Sequence, residues 1–133
     1  MVSLHEHEYA LVITFVLPEK QQDYLNLLAD PAGRKRALSQ LPHWADLDER
    51  SMRRLSDSYR RAAQIESLLR QRGAPPTCYL LSEDVDLDGR EMDLREALEE
   101  IVGLGAGTIV SCKPGRLAYY ETEDPEERYL LER

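Results

Sequence analysis

The C-terminal third of the chain constrains the fold most, because it holds three short apolar segments joined by short connections. These segments cover residues 108–112, 117–121 and 128–131. The first connection, Lys113-Pro-Gly-Arg116, has proline and glycine at the central positions of a type II turn. Short connections join antiparallel strands, whereas parallel strands need a crossover of about a dozen residues. The sequence therefore predicts an antiparallel meander at this end of the chain.

Two more strands and four helices are predicted upstream. Residues 9–17 form the longest apolar run, which is rich in β-branched side chains and apolar on both faces, as in a strand covered on both sides. Residues 77–82 form the second strand. Asp93 and Glu96 match a capping box at the start of the last helix. Helices are predicted over about 19–29, 31–40, 48–72 and 94–102.

The predicted order of elements is β-α-α-α-β-α-β-β-β. A chain of 133 residues with 42% hydrophobic side chains fits one domain with a real core. We therefore predict a single α+β domain over residues 1–133, with helices packed on a mixed sheet of about five strands. No segment approaches the roughly 18 apolar residues of a membrane span, and the N-terminus carries acids where a signal peptide carries lysine or arginine. A soluble cytoplasmic protein without membrane contact is expected.

The predicted helix over 48–72 carries most of the positive charge of an acidic chain. Apolar residues recur at three- and four-residue steps from Met52 to Leu69, which defines one apolar stripe. Arginines flank it, so residues 31–72 have a net charge of +5, while the remainder of the chain has −13. This separation of charge is typical of a protein that steers charged partners electrostatically. It is equally typical of a helix whose arginines face the solvent. Arg53 and Arg60 are binding candidates on this helix.

The segment from Asp84 to Gly89 begins like a calcium-binding loop. Asp84, Asp86 and Asp88 occupy the first three ligand positions of that loop, and Gly89 follows them. However, Arg95 stands where the loop needs a bidentate glutamate, and the preceding element is a predicted strand. We expect an acidic turn at Asp88-Gly89, with the three aspartates as weak metal candidates, and we predict neither a metal nor a cofactor.

Candidates for chemistry or binding lie near the 113–116 turn and in the link at 41–44. Lys113 and Arg116 would favour the thiolate of Cys112, but their spacing and their place between two strands differ from a phosphatase loop. His43 lies far away in sequence. The catalytic candidates are Cys112, Arg116 and His43. The aromatic binding candidates are Trp44, Tyr119 and Tyr120, whose ring types are favoured at interfaces.

Four blocks of the sequence resemble a family of short uncharacterised bacterial proteins. The resemblance spans residues 41–133 well and the N-terminal third loosely, and it implies no reaction, ligand or catalytic residue. The blocks are Leu41-Pro-His-Trp-Ala-Asp-Leu-Asp48, Arg72-Gly-Ala-Pro75, Leu87-Asp-Gly-Arg-Glu-Met92 and Gly105 through Tyr120.

Three functional hypotheses remain open on the sequence. The first is a small acidic cytoplasmic binding or regulatory protein, not an enzyme, that associates with itself or another protein through an exposed strand or aromatic patch. The second is a small enzyme with a cleft near Cys112, Arg116 and His43. The third is contact with nucleic acid or the ribosome through the arginine-rich helix, which the overall acidity of the chain disfavours.

Overall fold

The structure, a computed structural model, describes residues 4–124 and 126–133. The predicted class is confirmed: helices pack on a sheet in one α+β domain, and the sheet has six strands where about five were predicted. The helices are α1 (Glu6–Phe15), α2 (Gln21–Leu28), α3 (Pro31–Leu38), α4 (Ala62–Gln71) and α5 (Leu94–Ile101). The strands are β1 (Met52–Arg54), β2 (Thr77–Ser82), β3 (Glu91–Asp93), β4 (Thr108–Lys113), β5 (Leu117–Glu121) and β6 (Arg128–Glu132).

The strands lie in the order β1-β6-β5-β4-β2-β3. The meander β4-β5-β6 is confirmed, with Gly115 at a φ of 68° in the tight turn, a conformation that suits glycine. All five pairings are antiparallel, so the sheet differs from the mixed sheet that was expected. The strand that was predicted first, over residues 9–17, does not form.

Residues 9–17 were predicted as a strand and mostly belong to α1, so this prediction was wrong. The buried positions of α1 are Glu8, Leu11, Val12 and Phe15, which recur at three- and four-residue steps along one face. The helix also has a local start, since the imidazole of His5 accepts a hydrogen bond from the His7 backbone N–H at 3.2 Å. The N-cap and the helical spacing of the buried side chains therefore favour a helix here, although the β-branched residues favour a strand.

The predicted helix over 48–72 was also wrong in its first half, because only α4 is helical there. A 3₁₀ turn at Glu49–Ser51 leads into β1, and a loop follows to residue 61. Serine and aspartate at 56–58 favour local hydrogen bonds over helix, and the Ser56 and Ser58 hydroxyls lie 2.7 Å apart. The continuous arginine-rich helix on which the nucleic-acid hypothesis rested therefore does not exist.

Two hydrophobic cores lie on the two faces of the sheet. Helices α4 and α5 pack on one face, against side chains that include Cys112 and Tyr119. Helices α1, α2 and α3 cover the other face, together with the link that carries Trp44, against side chains that include Ile109 and Tyr120. Neighbouring residues of β5 thus enter different cores. Within the described residues, no helix is long and apolar enough to cross a membrane.

Candidate functional site

The sheet face under α1–α3 has an open cleft near its β1 edge. Side chains in the middle of this face, such as Ile109, are fully buried, whereas Met52 of β1 and Tyr129 of β6 are only half-buried. The cleft has a volume of about 490 Å³. It is lined by His43, Trp44, Ala45, Leu47, Glu49, Met52, Arg54, Tyr120, Thr122, Glu127 and Tyr129.

The floor of the cleft consists of paired residues from three adjacent strands. Tyr129 pairs with Tyr120 of β5 on one side and with Arg54 of β1 on the other, so the three side chains share a face. The two tyrosine rings are stacked, with centroids 6.0 Å apart and an interplanar angle of 22°. Met52 lies opposite Leu131 and extends the apolar floor toward the sheet edge.

Tyr120 attaches the wall of the cleft to its floor. Its hydroxyl donates a hydrogen bond to the Leu41 carbonyl and accepts one from the Trp44 backbone N–H at 3.0 Å. Burial raises the pKa of Tyr120 to about 12, so the hydroxyl keeps the proton that it donates. The link also lies directly against the start of β4, because a Cβ added at Gly107 would clash with the Pro42 nitrogen.

The Trp44 side chain joins the cleft to the core below α2. Its ring meets Tyr24 edge to face, with centroids 5.1 Å apart. The Tyr24 hydroxyl donates to Asp46 Oδ2 at 2.5 Å, and burial is the main reason that the pKa of Tyr24 rises to about 12. In the described part of the chain, Trp44 Nε1 is buried and has no hydrogen-bond partner. Trp44 is 8% exposed, so it forms a buried part of the cleft wall.

Charged groups of both signs surround the apolar floor. The His43 imidazole contacts the Glu123 carboxylate through Nε2, and Arg54 Nη2 donates to the Glu126 carbonyl at 3.2 Å. Glu49 and Glu127 complete the rim. The lining therefore combines an aromatic and thioether surface with a polar edge, which is the usual chemistry of a small-molecule site.

Asp48 stabilises the segment that carries the rim. Its carboxylate accepts from the Arg50 backbone N–H at 3.0 Å and from the Arg50 guanidinium at 2.8 Å. The hydrogen bonds from Arg50 lower the pKa of Asp48 to about 2. The 3₁₀ turn before β1 is therefore fixed by a local ion pair.

The structure brings three sequence candidates together in this cleft: His43, Trp44 and Tyr120. It does not bring His43 together with Cys112 and Arg116. Cys112 is buried in the core under α4 and α5, on the opposite face of the sheet, and Arg116 lies exposed in the β4–β5 turn. Burial raises the pKa of the Cys112 thiol, so the thiolate that a nucleophile needs is disfavoured.

The remaining binding candidates lie elsewhere. Tyr119 is buried in the α4 and α5 core and donates to Glu121 Oε1 at 3.1 Å. Arg53 is exposed on β1, and its pairing with Leu130 places it on the face opposite the cleft. Arg60 lines a second, smaller cavity of about 310 Å³, next to Arg128.

Two of the three acidic candidates, Asp84 and Asp88, have carboxylates that accept hydrogen bonds within the protein. Asp84 Oδ1 accepts from the Asp86 backbone N–H at 2.9 Å, which forms an Asx turn. Asp88 accepts from Arg34 at 2.9 and 3.1 Å and from the Ser82 backbone N–H. Among the residues that the structure describes, no group of three histidine, cysteine, aspartate or glutamate side chains is placed to hold a metal ion.

Four residues that line the cleft were not predicted as site residues: Met52, Arg54, Glu127 and Tyr129. The meander could have indicated Tyr129, because the pairing of two consecutive strands places alternate residues on one face. Met52 and Arg54 were assigned to a helix, and no local pattern places them beside β6. Comparisons of the chain with family models, curated proteins and solved structures gave no match.

Proposed function

We propose that the protein is a binding or regulatory protein, not an enzyme, whose cleft holds a small ligand with a flat apolar part and a polar end. The observation that carries this proposal is the open cleft of about 490 Å³ with an aromatic floor. Sites for small molecules typically have volumes of about 300–1,000 Å³ and apolar linings with a few polar groups.

The half-buried side chains of the floor define the ligand. Tyr129 and Met52 are the apolar residues of the floor that are still open to solvent. A planar ring laid on them would contact an aromatic face and a polarisable sulfur, and both contacts are favourable. Arg54 and Glu127 then lie at the rim, where a charged or hydrogen-bonding end of the ligand would reach them.

The chain offers an internal reporter for this proposal, because Trp44 is its only tryptophan. Tryptophan emission is followed while single-ring and fused-ring aromatic acids and amines are added. At least one compound should change the emission saturably, and Tyr129→Ala should weaken its binding about 10-fold, the equivalent of about 1.4 kcal/mol.

Tyr59→Ala is the matched control for this titration. Tyr59 is another half-buried tyrosine, but it lines the second cavity and not the cleft. Its replacement should leave the dissociation constant unchanged within about 2-fold. If no compound in the set changes the emission saturably, or if both alanine variants bind equally well, the cleft is not the binding site.

A protein partner, in the form of a second copy of the chain, belongs to the same proposal. The support is the exposed charge on the two short strands at the edges of the sheet, β1 and β3. The cytoplasmic location stays a prediction of the sequence.

A further inference from the structure

We propose that copies of this chain associate edge to edge, with β1 of one copy pairing with β3 of the next. Strands β1 and β3 are the two outer strands of the sheet. The proposal extends the proposed function, because one of the pairing strands also forms the side of the cleft.

Backbone groups on both edges point outward. Leu55 N–H donates to the Arg128 carbonyl at 2.8 Å, so the inward-facing positions next to β6 are Leu55 and Arg53. Because these positions alternate in an antiparallel pair, the amide groups of Met52 and Arg54 face away from the sheet. The Met52 N–H is already bonded to the Glu49 carbonyl, but the Arg54 N–H and both carbonyls face outward.

Backbone groups of β3 also point away from the sheet at the opposite edge. Leu80 N–H donates to the Arg90 carbonyl at 3.0 Å, and Leu94 N–H donates to the Pro76 carbonyl at 2.8 Å. Positions 90, 92 and 94 therefore face β2, and the amide groups of Glu91 and Asp93 face outward.

The direction of the strands makes the two edges compatible. Every neighbouring pair in the six-stranded sheet is antiparallel, so β1 and β3 run in opposite directions. A second copy in the same orientation therefore adds its β3 antiparallel to β1. In the register that aligns outward-facing amides, Arg54 lies opposite Glu91 and Met52 lies opposite Asp93, and up to three hydrogen bonds form.

The faces of the two sheets match in this register. Arg54 pairs with Tyr129 on the face covered by α1–α3. Glu91 pairs with Tyr79, which belongs to the same core, and its carboxylate lies 2.9 Å from His5 Nε2 at the start of α1. Each copy therefore continues the sheet of its neighbour with the corresponding face on the same side.

The charges of the two edges are complementary. The segment around β1, residues 49–61, contains five arginines and two acids, whereas the segment around β3, residues 83–100, contains nine acids and two arginines. Arg54 and Glu91 are exposed, and the Glu91 side chain is 72% exposed. Opposite charges on directly paired residues favour the association, and like charges oppose β1–β1 or β3–β3 pairing.

The association has a consequence for the cleft. Paired strands lie about 4.8 Å apart, so β3 of the next copy would lie beside β1 at the open side of the cleft. Glu91 of the next copy would then neighbour Arg54 on the rim. Because the two contacting surfaces differ, the assembly grows head to tail and does not close at a dimer. Each edge strand has three residues, which keeps the association weak.

Sedimentation velocity over a range of protein concentrations tests the proposal. The average mass should rise with concentration and pass beyond twice the chain mass of 15.3 kDa. The association should weaken between about 0.1 M and about 1 M salt, where the Debye length falls from about 10 Å to about 3 Å. A monomer at every concentration, a dimer that grows no further, or an association that strengthens with salt would each overturn the proposal.

Charge reversal identifies the two edges. Arg54→Glu and Glu91→Arg should each weaken association about 10-fold or more, because a like-charge pair replaces an attraction. The double variant Arg54→Glu/Glu91→Arg, and an equimolar mixture of the two single variants, should associate again. Simple misfolding would not be rescued in this way. Glu19→Arg, an equal change of charge at an exposed position outside both segments, should leave the association intact.

One variant separates this inference from the proposed function. Glu91 lies at the edge of the sheet opposite the cleft within one copy. A Glu91→Arg monomer that still binds the aromatic ligand, as seen by Trp44 emission, shows that binding does not need association. If wild-type copies associate as described and no ligand binds, only the proposed function fails. If the ligand binds and Glu91→Arg associates like the wild type, only the edge pairing fails.

Discussion

Replacing Tyr120 by phenylalanine removes the hydroxyl that joins the wall of the cleft to its floor. The hydroxyl donates to the Leu41 carbonyl and accepts from the Trp44 backbone N–H, and Tyr120 is 1% exposed. An orphaned buried donor costs about 1–3 kcal/mol, and the lost bond to the carbonyl adds about 1 kcal/mol. We therefore expect Tyr120→Phe to lower the free energy of unfolding by about 2–4 kcal/mol.

Tyr119→Phe is a matched control, because it removes the same atom from the next residue. The Tyr119 hydroxyl makes one hydrogen bond to Glu121 Oε1, and that oxygen still accepts the Gly103 backbone N–H at 3.1 Å. The expected loss is about 1 kcal/mol. Both values come from urea unfolding followed by Trp44 fluorescence and by far-ultraviolet circular dichroism.

The two variants also differ in what they do to the folded protein. Tyr120→Phe frees the backbone of Trp44, so its native emission should move to longer wavelength, while Tyr119→Phe should leave it unchanged. In melting temperature the expected losses are about 8–16 °C and about 4 °C, at about 4 °C per kcal/mol. An equal or larger loss in Tyr119→Phe would refute the view that Tyr120 attaches the wall.

Three further predictions concern other parts of the molecule. Arg34→Ala should lower the free energy of unfolding by about 3 kcal/mol, since it removes the cation 2.6 Å from the Glu8 carboxylate, which is 3% exposed. Asp48→Asn should destabilise the protein at about pH 7, and the difference from wild type should vanish as pH falls to about 2. Arg50 holds the native pKa of Asp48 at about 2, below its ordinary 3.8. Ionised Asp48 therefore stabilises the fold fully above pH 3.8, and this contribution is lost as the pH falls to about 2. The Cys112 thiol should react with iodoacetamide more slowly than a model peptide, because burial raises its pKa.

Each of these predictions has a control or a contrary result. Arg36→Ala removes an exposed arginine of α3 and should change stability by less than about 0.5 kcal/mol. For Asp48, a stability difference that persists unchanged at about pH 2 would contradict the role of the ion pair. For Cys112, urea should raise the reaction rate to that of the peptide, and native reactivity at or above that rate would favour the enzyme hypothesis.

The parts of the fold that sequence analysis predicted are those with local determinants. Asp30 accepts from the Gly33 backbone N–H and starts α3, with Pro31 at the first helical position. Asp93 accepts from the Glu96 backbone N–H and starts α5. The β4–β5 turn has its proline and glycine in four consecutive residues. In each case the residues that decide the conformation are neighbours in the chain.

The parts that escaped prediction depend on distant partners. Strand β1 exists because Tyr129, Leu130 and Leu131 of β6 pair with it, and no pattern within residues 52–54 indicates that pairing. The cleft escaped for the same reason, because its floor is made by pairing Met52 and Arg54 with β6. Trp44 and Tyr120 were proposed from their residue types alone. The hydrogen bond between them joins residues that are 76 positions apart in the sequence.

The most direct measurement of the central claim uses the methionine methyl groups, because the chain has three methionines and the cleft contains one of them, Met52. Met92 is buried in the core under α4 and α5, near the opposite edge of the sheet. In methyl NMR spectra with the aromatic ligand that changes Trp44 emission, the Met52 signal should shift saturably and show contacts to the ligand ring, while the Met92 signal stays in place. If the Met92 signal shifts and the Met52 signal does not, the ligand binds outside the cleft.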